Sequence, residues 1–467
     1  MDVESHTRSR GSALLMVLPL GFVACTGGVY DDYDGFGSNP QPSVVGDSTG
    51  AATSGDGSTA APTDAGTGGG DSDPNNDGTG DETSTSAGTS PGTSPGTGPG
   101  TSPGTSDGTG DDTDDGTSGG PTNDGIDVPD PVFGDPIIVG PQDLEKWIWV
   151  PIPAMHCADG LSTAGVMVNF TAKSPDLLLF FQGGGACWDA VSCAAQVQNL
   201  TPWQFDPFGA WGADGGPVNV GVFDRFDPGN PLRNHNYVYV PYCTGDGHIG
   251  SKISDYGVHH VGYLNALHAL ERVVPTFLGA NQIVVAGFSA GGIAATGNYH
   301  QVASAFESFG KKVDVVINDA GPFVRPPYLT KATLEMLRDS WGLNKTILPW
   351  CPDCETEGAH AIYRTQAELH PGVRSSLICA YNDSVVRLLY AALLSPVELG
   401  LLELGLRDLG TWRDQIAGQV APGRLREFYY FGDRHGATEV PLFQSPGLAQ
   451  FLQAQIYNDP NWGSVRP

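Results

Sequence analysis

Positive charge is scarce in this sequence of 467 residues, which has 23 Lys and Arg against 52 Asp and Glu and a formal net charge of −29. Residues 26–130 contain 19 acidic side chains and no basic one. Residues 131–467 therefore carry a net charge of −10, which is ordinary for an acidic globular domain. Because no basic stripe is present to contact phosphate groups, the composition predicts that nucleic acid is not a partner.

Large apolar residues are equally rare in residues 26–130, where Gly, Ser, Thr, Asp and Pro predominate. Such a segment cannot bury enough surface to offset the entropy lost on ordering, so we predict a disordered linker. A four-residue repeat over residues 89–104 (TSPG, TSPG, TGPG, TSPG) is typical of a stalk. The sequence thus predicts three parts: residues 1–25, a linker over residues 26–130, and a catalytic domain over residues 131–467.

The first 25 residues have the layout of a bacterial secretion signal. Arg8 and Arg10 precede an apolar run over residues 13–24, which is too short to span a bilayer, and Cys25 follows it. The segment ending at Cys25 (Phe-Val-Ala-Cys) is similar to the lipobox of bacterial lipoproteins. We therefore predict a secreted protein anchored to the cell envelope or cell surface through a lipid on Cys25, with simple signal cleavage as the alternative.

Eight cysteines in an exported chain predict disulfide bonds rather than free thiols. Cys187 and Cys193 are close enough to form a local bridge, and Cys351 with Cys354 forms either a small-loop bridge or a redox-type pair. Cys157 and Cys243 remain as a long-range pair, and Cys379, in an apolar run, is predicted to be a buried free thiol. Because no second Cys-x-x-Cys or paired histidine cluster completes a zinc site, no metal is predicted.

The stretch that organises the chain is residues 282–292, where a β-branched apolar run ends in Gly287-Phe288-Ser289-Ala290-Gly291. The pattern Gly-x-Ser-x-Gly between a strand and a helix is that of a nucleophile elbow, which presents its serine on a strained turn. A helix that starts just after Ser289 aims N–H groups and the positive end of its dipole at an oxyanion formed there. Ser289 is therefore the candidate nucleophile.

Around this elbow, apolar runs of strand length alternate with helical patterns, which predicts a mainly parallel sheet with helices on both faces. Strands are expected at residues 147–153, 166–170, 177–181, 237–240, 282–288, 313–317, 376–380 and 428–431. Helices are expected at residues 259–277, 290–306 and 385–394.

Acyl transfer at Ser289 also requires donors for the oxyanion, a base and an acid that orients the base. The triple glycine of residues 183–185 directly follows a predicted central strand, and the N–H of Ala290 follows the nucleophile. The base should come last in the chain order Ser, Asp, His, and His435 is the final histidine. It lies in a glycine-flanked loop after the last strand, where ligands bind in open parallel sheets.

The acid has three candidates. Asp383 follows a predicted strand and begins a helix, which is the position expected of a carboxylate aimed at an imidazole. Asp319 also follows a strand and is nearer in sequence to the elbow. Asp433 lies only two residues from His435 on the same loop and is expected to point away from it. Asp383 is preferred, with Asp319 as the alternative.

With these residues in place, the chain resembles the pectin acetylesterase and Notum family of serine carboxylesterases. The resemblance lies in five separated motifs of residues 144–443, which are Cys-Ala-Asp-Gly at 157–160, Gly-Gly-Gly-Ala-Cys at 183–187, Pro-Tyr-Cys at 241–243, the elbow at 287–292 and Asn-Asp-Ala-Gly at 318–321. It implies an α/β-hydrolase-like fold, Ser289 as nucleophile, and Gly184, Gly185 and Ala290 as oxyanion donors. It also implies the pairs Cys157 with Cys243 and Cys187 with Cys193. A Tyr-Asn-Asp segment at 381–383 resembles the family's acid segment and supports Asp383.

The resemblance further implies a carboxylesterase without metal or organic cofactor that hydrolyses O-acyl esters, with O-acetyl groups on a polysaccharide expected first. A lipid-linked acyl group is the neighbouring option, and Gly185-Ala186 is smaller than the bulky pair common in the family, which predicts an altered acyl pocket. We expect a monomer. The alternatives are a surface-displayed binding or adhesion lipoprotein on a hydrolase scaffold without turnover, and a serine peptidase.

Overall fold

The computed structural model describes residues 125–195, 219–394 and 401–467. The predicted signal segment, Cys25 and nearly all of the predicted linker lie outside these ranges.

Of the ten strands in the described ranges, eight form one sheet in the order β1-β2-β4-β3-β7-β8-β9-β10. Strands β3, β4 and β7 to β10 are mutually parallel, and β1 and β2 add an antiparallel edge. The bounds are β1 Ile148–His156, β2 Thr163–Asn169, β3 Leu177–Phe181, β4 Asn236–Val240, β7 Ile283–Phe288, β8 Val315–Asp319, β9 Arg374–Ala380 and β10 Leu425–Tyr430. The short strands β5 Lys252–Ile253 and β6 His259–His260 form a separate hairpin.

Ten helices accompany the strands in the described ranges, and most connect one strand with the next. They are α1 Ala190–Ala195, α2 Gly262–Thr276, α3 Ala290–Gly297, α4 Tyr299–Glu307, α5 Lys331–Trp341, α6 Asp353–Thr356, α7 Ala361–Leu369, α8 Ser384–Leu394, α9 Leu402–Gln419 and α10 Pro446–Ile456. None of the helices in these ranges is long and apolar enough to cross a membrane.

The central strands are apolar on both faces because each face supports its own core. Alternate residues of β3 divide between them: Leu178 and Phe180 face one core, and Leu177, Leu179 and Phe181 face the other. Helices α2 and α4 cover the second face, and α7, α9 and α10 cover the first. The predicted parallel sheet with helices on both faces is confirmed, and the continuous apolar runs are explained by this double burial.

Two helix predictions are corrected. The helix expected from residue 259 begins at Gly262, because His259 and His260 pair with the neighbouring hairpin strand. The single helix expected after the elbow is divided into α3 and α4 at Asn298, whose buried side-chain amide donates hydrogen bonds to the carbonyls of His248 and Ala294.

Helices α5, α6, α7, α9 and α10 were not predicted at all. Helix α9 carries three glycines, which lower helix propensity. Two of them make room for neighbours, since Tyr328 packs against Gly405 and Arg466 against Gly410. Tertiary packing therefore overrides a weak local signal.

Three disulfide bonds join Cys157 to Cys243, Cys187 to Cys193 and Cys351 to Cys354, as expected from the sequence. The first connects the end of β1 with the loop after β4, and the second lies directly after the triple glycine. Cys379 is a buried free cysteine in β9. Disulfide bonds indicate an oxidising environment outside the cytoplasm.

Substituting Gly291 should prevent the elbow from forming. A Cβ atom at this position would overlap the carbonyl oxygen of Phe181, which belongs to the neighbouring strand and cannot move alone. We expect Gly291→Ala to lower the thermal unfolding midpoint strongly or to yield no folded protein. Gly418→Ala is the matched control, because Gly418 is exposed in α9 with nothing near its missing Cβ. It should leave the midpoint unchanged or raise stability by about 0.5–1 kcal/mol. Equal effects of the two changes would contradict this account.

Candidate active site

Ser289 lies between β7 and α3 in a conformation that few residues other than glycine adopt, with φ 58° and ψ −120°. Such a backbone costs on the order of 1–3 kcal/mol and persists only where the surroundings enforce it. Here the enforcing contacts are close approaches of main chain. A Cβ at Gly287 would overlap the backbone of Gly291, and one at Gly291 would overlap that of Phe181. Ser289 itself remains partly exposed.

The triple glycine continues from the end of β3 and lies against this turn. A Cβ on Gly183 would come within 2.8 Å of the Phe288 carbonyl oxygen and 3.1 Å of the Ser289 Cβ. Gly185 has φ 77°, which disfavours other residues. In the described chain no residue accepts a hydrogen bond from the backbone N–H groups of Gly184, Gly185 or Ala290. Within the described ranges these three donors are therefore unpaired.

The loop after β4 contacts the start of the glycine loop, which is the name used here for residues 183–185 and the peptide that leads into them. His248 Nε2 lies 2.9 Å from the Gln182 carbonyl oxygen, and the His248 ring stacks on Tyr242 with 4.4 Å between ring centroids. The Gln182 side chain in turn accepts a hydrogen bond from the Tyr242 N–H. Burial lowers the pKa of His248 to about 4, so the ring is neutral and can donate one hydrogen bond to the carbonyl. These contacts fix the peptide that leads into Gly183.

His435 and Asp383 meet at the carboxyl ends of β9 and β10. His435 Nδ1 lies 2.9 Å and 3.0 Å from the two carboxylate oxygens of Asp383. The Asp383 carboxylate is fully buried, and Oδ1 also accepts hydrogen bonds from the N–H groups of Val385 and Val386 in the first turn of α8. A carboxylate at a helix N-terminus in this position stabilises the helix and fixes one nitrogen of the imidazole.

The His435 ring is next to the elbow. It packs on the ring of Phe288, the residue before Ser289, with 4.8 Å between centroids. Within the described residues no hydrogen bond joins Ser289 Oγ to His435. Gly436 is pressed so closely against the Phe288 ring that a Cβ there would overlap it.

The two other acid candidates lie elsewhere. Asp433 is exposed on the loop. Asp319 is fully buried, but its Oδ2 accepts hydrogen bonds from the N–H groups of Ala437 and Thr438 and from the Thr438 hydroxyl, at 2.7–2.8 Å. Burial raises the pKa of the Asp319 carboxyl, and these hydrogen bonds oppose the increase. Asp319 therefore contacts the backbone of the loop after β10 that carries His435, here called the histidine loop. Asp383 contacts the His435 ring.

Sequence reasoning missed the supporting residues. His248 precedes the nucleophile, so the chain order Ser, Asp, His gives it no role as the base, and no sequence pattern points to Gln182. Asp319 was noticed only as a candidate acid. The signal that could have found His248 is its place in a Gly-Asp-Gly-His run after a central strand.

Among the described residues, one cluster has the spacing of metal ligands, namely Cys187, Cys193 and His260. The two sulfurs form a disulfide bond, and the His260 nitrogens lie within hydrogen-bonding distance of the Thr244 carbonyl and the Tyr256 hydroxyl. This cluster therefore has no free ligand atom for a metal.

An apolar cavity lies beside the elbow. Its lining includes Ala186 after the triple glycine, Ile293 of α3, Phe323, Leu334 of α5 and Tyr390 of α8. Ile293 is one helical turn after Ser289 and donates its N–H to the Ser289 carbonyl oxygen. The Tyr390 hydroxyl donates to the Pro322 carbonyl, which ties α8 to the cavity wall.

The sheet order, with a strained serine after β7, a buried aspartate after β9 and a histidine after β10, defines an α/β-hydrolase-like protein. A sequence model of the family described as pectinacetylesterase matches residues 152–344. This match, together with the relatives below, supports a likeness to the pectinacetylesterase and Notum family.

Three curated relatives show the same likeness. Palmitoleoyl-protein carboxylesterase NOTUM of Drosophila melanogaster is 26% identical over 212 residues, 42% of this chain and 31% of the relative. Its human counterpart is 28% identical over 163 residues, 34% of this chain and 32% of the relative. Palmitoleoyl-protein carboxylesterase notum2 of Xenopus laevis is 29% identical over 155 residues, 32% of this chain and 31% of the relative. The matched part thus spans about a third of the length of each relative.

His248 should make the stability of the fold depend on pH. A histidine in the unfolded chain has a pKa of about 6.5, so as the pH falls the unfolded state takes up a proton before the folded state does. The stabilisation is complete above about pH 6.5 and is lost as the pH falls toward 4, by about 3 kcal/mol. We expect His248→Gln to lose less stability than wild type between about pH 7.5 and pH 4.5 in urea unfolding. Parallel pH dependences of the two proteins would contradict this.

Proposed function

We propose that this protein is a serine carboxylesterase with Ser289 as nucleophile, His435 as general base and Asp383 as the acid that orients it. The observation that carries the proposal is the hydrogen-bonded His435 and Asp383 pair packed against the residue before a strained serine. The likeness to the pectinacetylesterase and Notum family supports an acyl ester as substrate. In hydrolases without bound substrate the contact from serine to histidine is often long, and it shortens in the complex.

Hydrolysis proceeds in two steps. His435 Nε2 takes the Ser289 proton as Oγ attacks the ester carbonyl, and the N–H groups of Gly184, Gly185 and Ala290 stabilise the oxyanion. The imidazolium protonates the leaving alcohol, with Asp383 holding Nδ1. Water then repeats the attack on the acyl-enzyme, again with His435 as base. These residues need no metal or organic cofactor for either step.

Removing a member of this triad should abolish turnover of a p-nitrophenyl ester. We expect Ser289→Ala and His435→Gln to lower kcat by about 10⁴-fold or more, and Asp383→Asn by a comparable factor. Asp433→Asn is the matched control, since it neutralises an exposed carboxylate on the same loop as His435. Unchanged kcat in Ser289→Ala would remove Ser289 from the mechanism, whereas no turnover by the wild-type protein would favour the alternative of a binding or adhesion lipoprotein. Amide hydrolysis at rates near those of the ester would favour a peptidase.

The acyl group is the second part of the proposal. The sequence favoured acetyl groups on a polysaccharide, as the pectinacetylesterase name suggests. The curated relatives are named for removing palmitoleoyl groups from protein. The apolar cavity lined by Ala186 and Ile293 supports an acyl chain longer than acetyl, because Ala186 directly follows the triple glycine and Ile293 is one helical turn after Ser289, so its carbon surface lies near the proposed nucleophile. An O-acetylated polysaccharide remains the second candidate.

A panel of p-nitrophenyl esters of increasing chain length separates the two candidates. If the cavity holds the chain, kcat/KM should rise from acetate to octanoate, because each buried methylene stabilises the complex by about 0.8 kcal/mol. Leu334→Trp fills the cavity away from the elbow and should suppress the gain for octanoate while leaving acetate unchanged. A profile that is highest for acetate in both proteins would favour the acetyl esterase.

Export, a lipid anchor on Cys25, the three-part division of the chain and a monomeric state stay predictions. The three disulfide bonds support export to an oxidising compartment. A tethered esterase would act on acyl esters at or near the cell surface.

A further inference from the structure

Asp319 touches both halves of the proposed catalytic apparatus. It is the last residue of β8, between the strand that leads to Ser289 and the strand that leads to Asp383. Its carbonyl oxygen accepts a hydrogen bond from the Ser289 N–H at 2.7 Å. Its carboxylate accepts three hydrogen bonds from Ala437 and Thr438, two and three residues after His435.

The backbone at Asp319 is itself held on both sides. The Asn318 side chain accepts from the Gly321 N–H and donates to the Gly321 carbonyl and to the Thr296 hydroxyl of α3, at 2.8–2.9 Å. The Ala320 N–H donates to the Ile378 carbonyl of β9. Asp319 is therefore part of the same rigid frame as the elbow, and its carboxylate projects from that frame to the histidine loop.

The histidine loop needs such an attachment. Asp383 fixes only one ring nitrogen of His435, which still permits the ring to shift with its backbone. A displacement of about 1 Å in a reacting group can cost on the order of 10²-fold in rate. The N–H groups of Ala437 and Thr438, in the segment after His435, donate to the carboxylate of Asp319, so one side chain joins this segment directly to the residue that holds the Ser289 backbone.

The burial of the Asp319 carboxylate is difficult to explain by a contribution to stability alone. Asp319 is fully buried, and its Oδ1 has no hydrogen-bond partner among the described residues. Burying a carboxyl group with one oxygen unpaired is costly. A free-energy cost of this kind is expected where a buried polar group holds functional groups in place.

We propose that Asp319 is a positioning residue, which sets the distance between the His435 loop and the Ser289 elbow without touching the reacting atoms. This inference rests on the proposed esterase function. It also explains why a second aspartate lies beside the histidine without contacting the imidazole.

The test compares Asp319→Ala, Asp319→Asn and Thr438→Val in the full chain, with a p-nitrophenyl ester as substrate. Alanine removes the acceptor, whereas asparagine retains one oxygen for the same N–H groups. We expect kcat to fall by roughly 10²-fold in Asp319→Ala with KM nearly unchanged, and to recover to within roughly tenfold of wild type in Asp319→Asn. Thr438→Val, which removes one of the three donors, should give a smaller loss and serves if the alanine variant does not fold.

Asp314→Ala is the matched control. Asp314 precedes β8, and its carboxylate accepts a hydrogen bond from the Ile283 N–H at the start of β7. This contact lies at the amino ends of the strands, whereas the elbow lies at their carboxyl ends. Asp314→Ala should lower the thermal unfolding midpoint without changing kcat. Equal loss of kcat in Asp314→Ala and Asp319→Ala, or wild-type kcat in Asp319→Ala and Thr438→Val, would overturn the inference.

Two further outcomes separate this inference from the proposed function. If Asp319→Asn is as inactive as Ser289→Ala while Asp383→Asn turns over, Asp319 is the triad acid and the positioning role is wrong. If Ser289→Ala remains active, the esterase proposal fails whatever the Asp319 variants do.

Discussion

The approach of α3 to the ends of β3 and β7 is the constraint on which the rest of the structure depends. No side chain fits between the first turn of this helix and the two strands, since a Cβ at Gly287 or Gly291 would overlap main-chain atoms. The chain can make this turn only if Ser289 adopts a strained conformation, so the strain is imposed by the packing of the sheet and its helix. Ser289 is presented to solvent because the close packing of α3 on the two strands leaves its backbone no other conformation.

Two loops are aligned to that turn by different physical means. The glycine loop is held by shape, because Gly183 lies against the Phe288 carbonyl, and by the buried His248 and Gln182 contacts behind it. The histidine loop is held by charge and hydrogen bonds, with Asp383 on the ring and Asp319 on the backbone. Both carboxylates lie at the carboxyl ends of neighbouring parallel strands, which is where open α/β sheets place their ligands. Parallel strand order thus brings together residues more than a hundred positions apart in the chain.

Local patterns predicted those parts of the fold whose cause is local. The strand Leu177–Phe181 was predicted with its bounds, because burial on both faces requires an uninterrupted apolar run. The Gly-x-Ser-x-Gly turn and the final histidine loop were likewise predicted. The glycines that the turn requires and the order of Ser, Asp and His along the chain can both be read directly from the sequence. Helix α9 was not predicted, because two of its three glycines are explained only by Tyr328 and Arg466, which pack on them from distant positions in the chain. The role of Asp319 was also hidden, since a carboxylate after a strand looks the same whether it binds a ring or a backbone.

The buried charges also bear on whether the scaffold has been retained without turnover. A carboxylate such as Asp383 is costly to bury unless donors surround it. The α8 N–H groups supply part of that compensation, and the His435 ring supplies the rest. A fold selected only for binding could replace this pair by apolar contacts of lower energetic cost. The same holds for the strained Ser289 and for the Asp319 oxygen that has no partner in the part of the chain that the structure describes. Three energetically costly features that converge on the carboxyl ends of the parallel strands are explained together by the proposed catalysis, and a binding scaffold would need a separate reason for each.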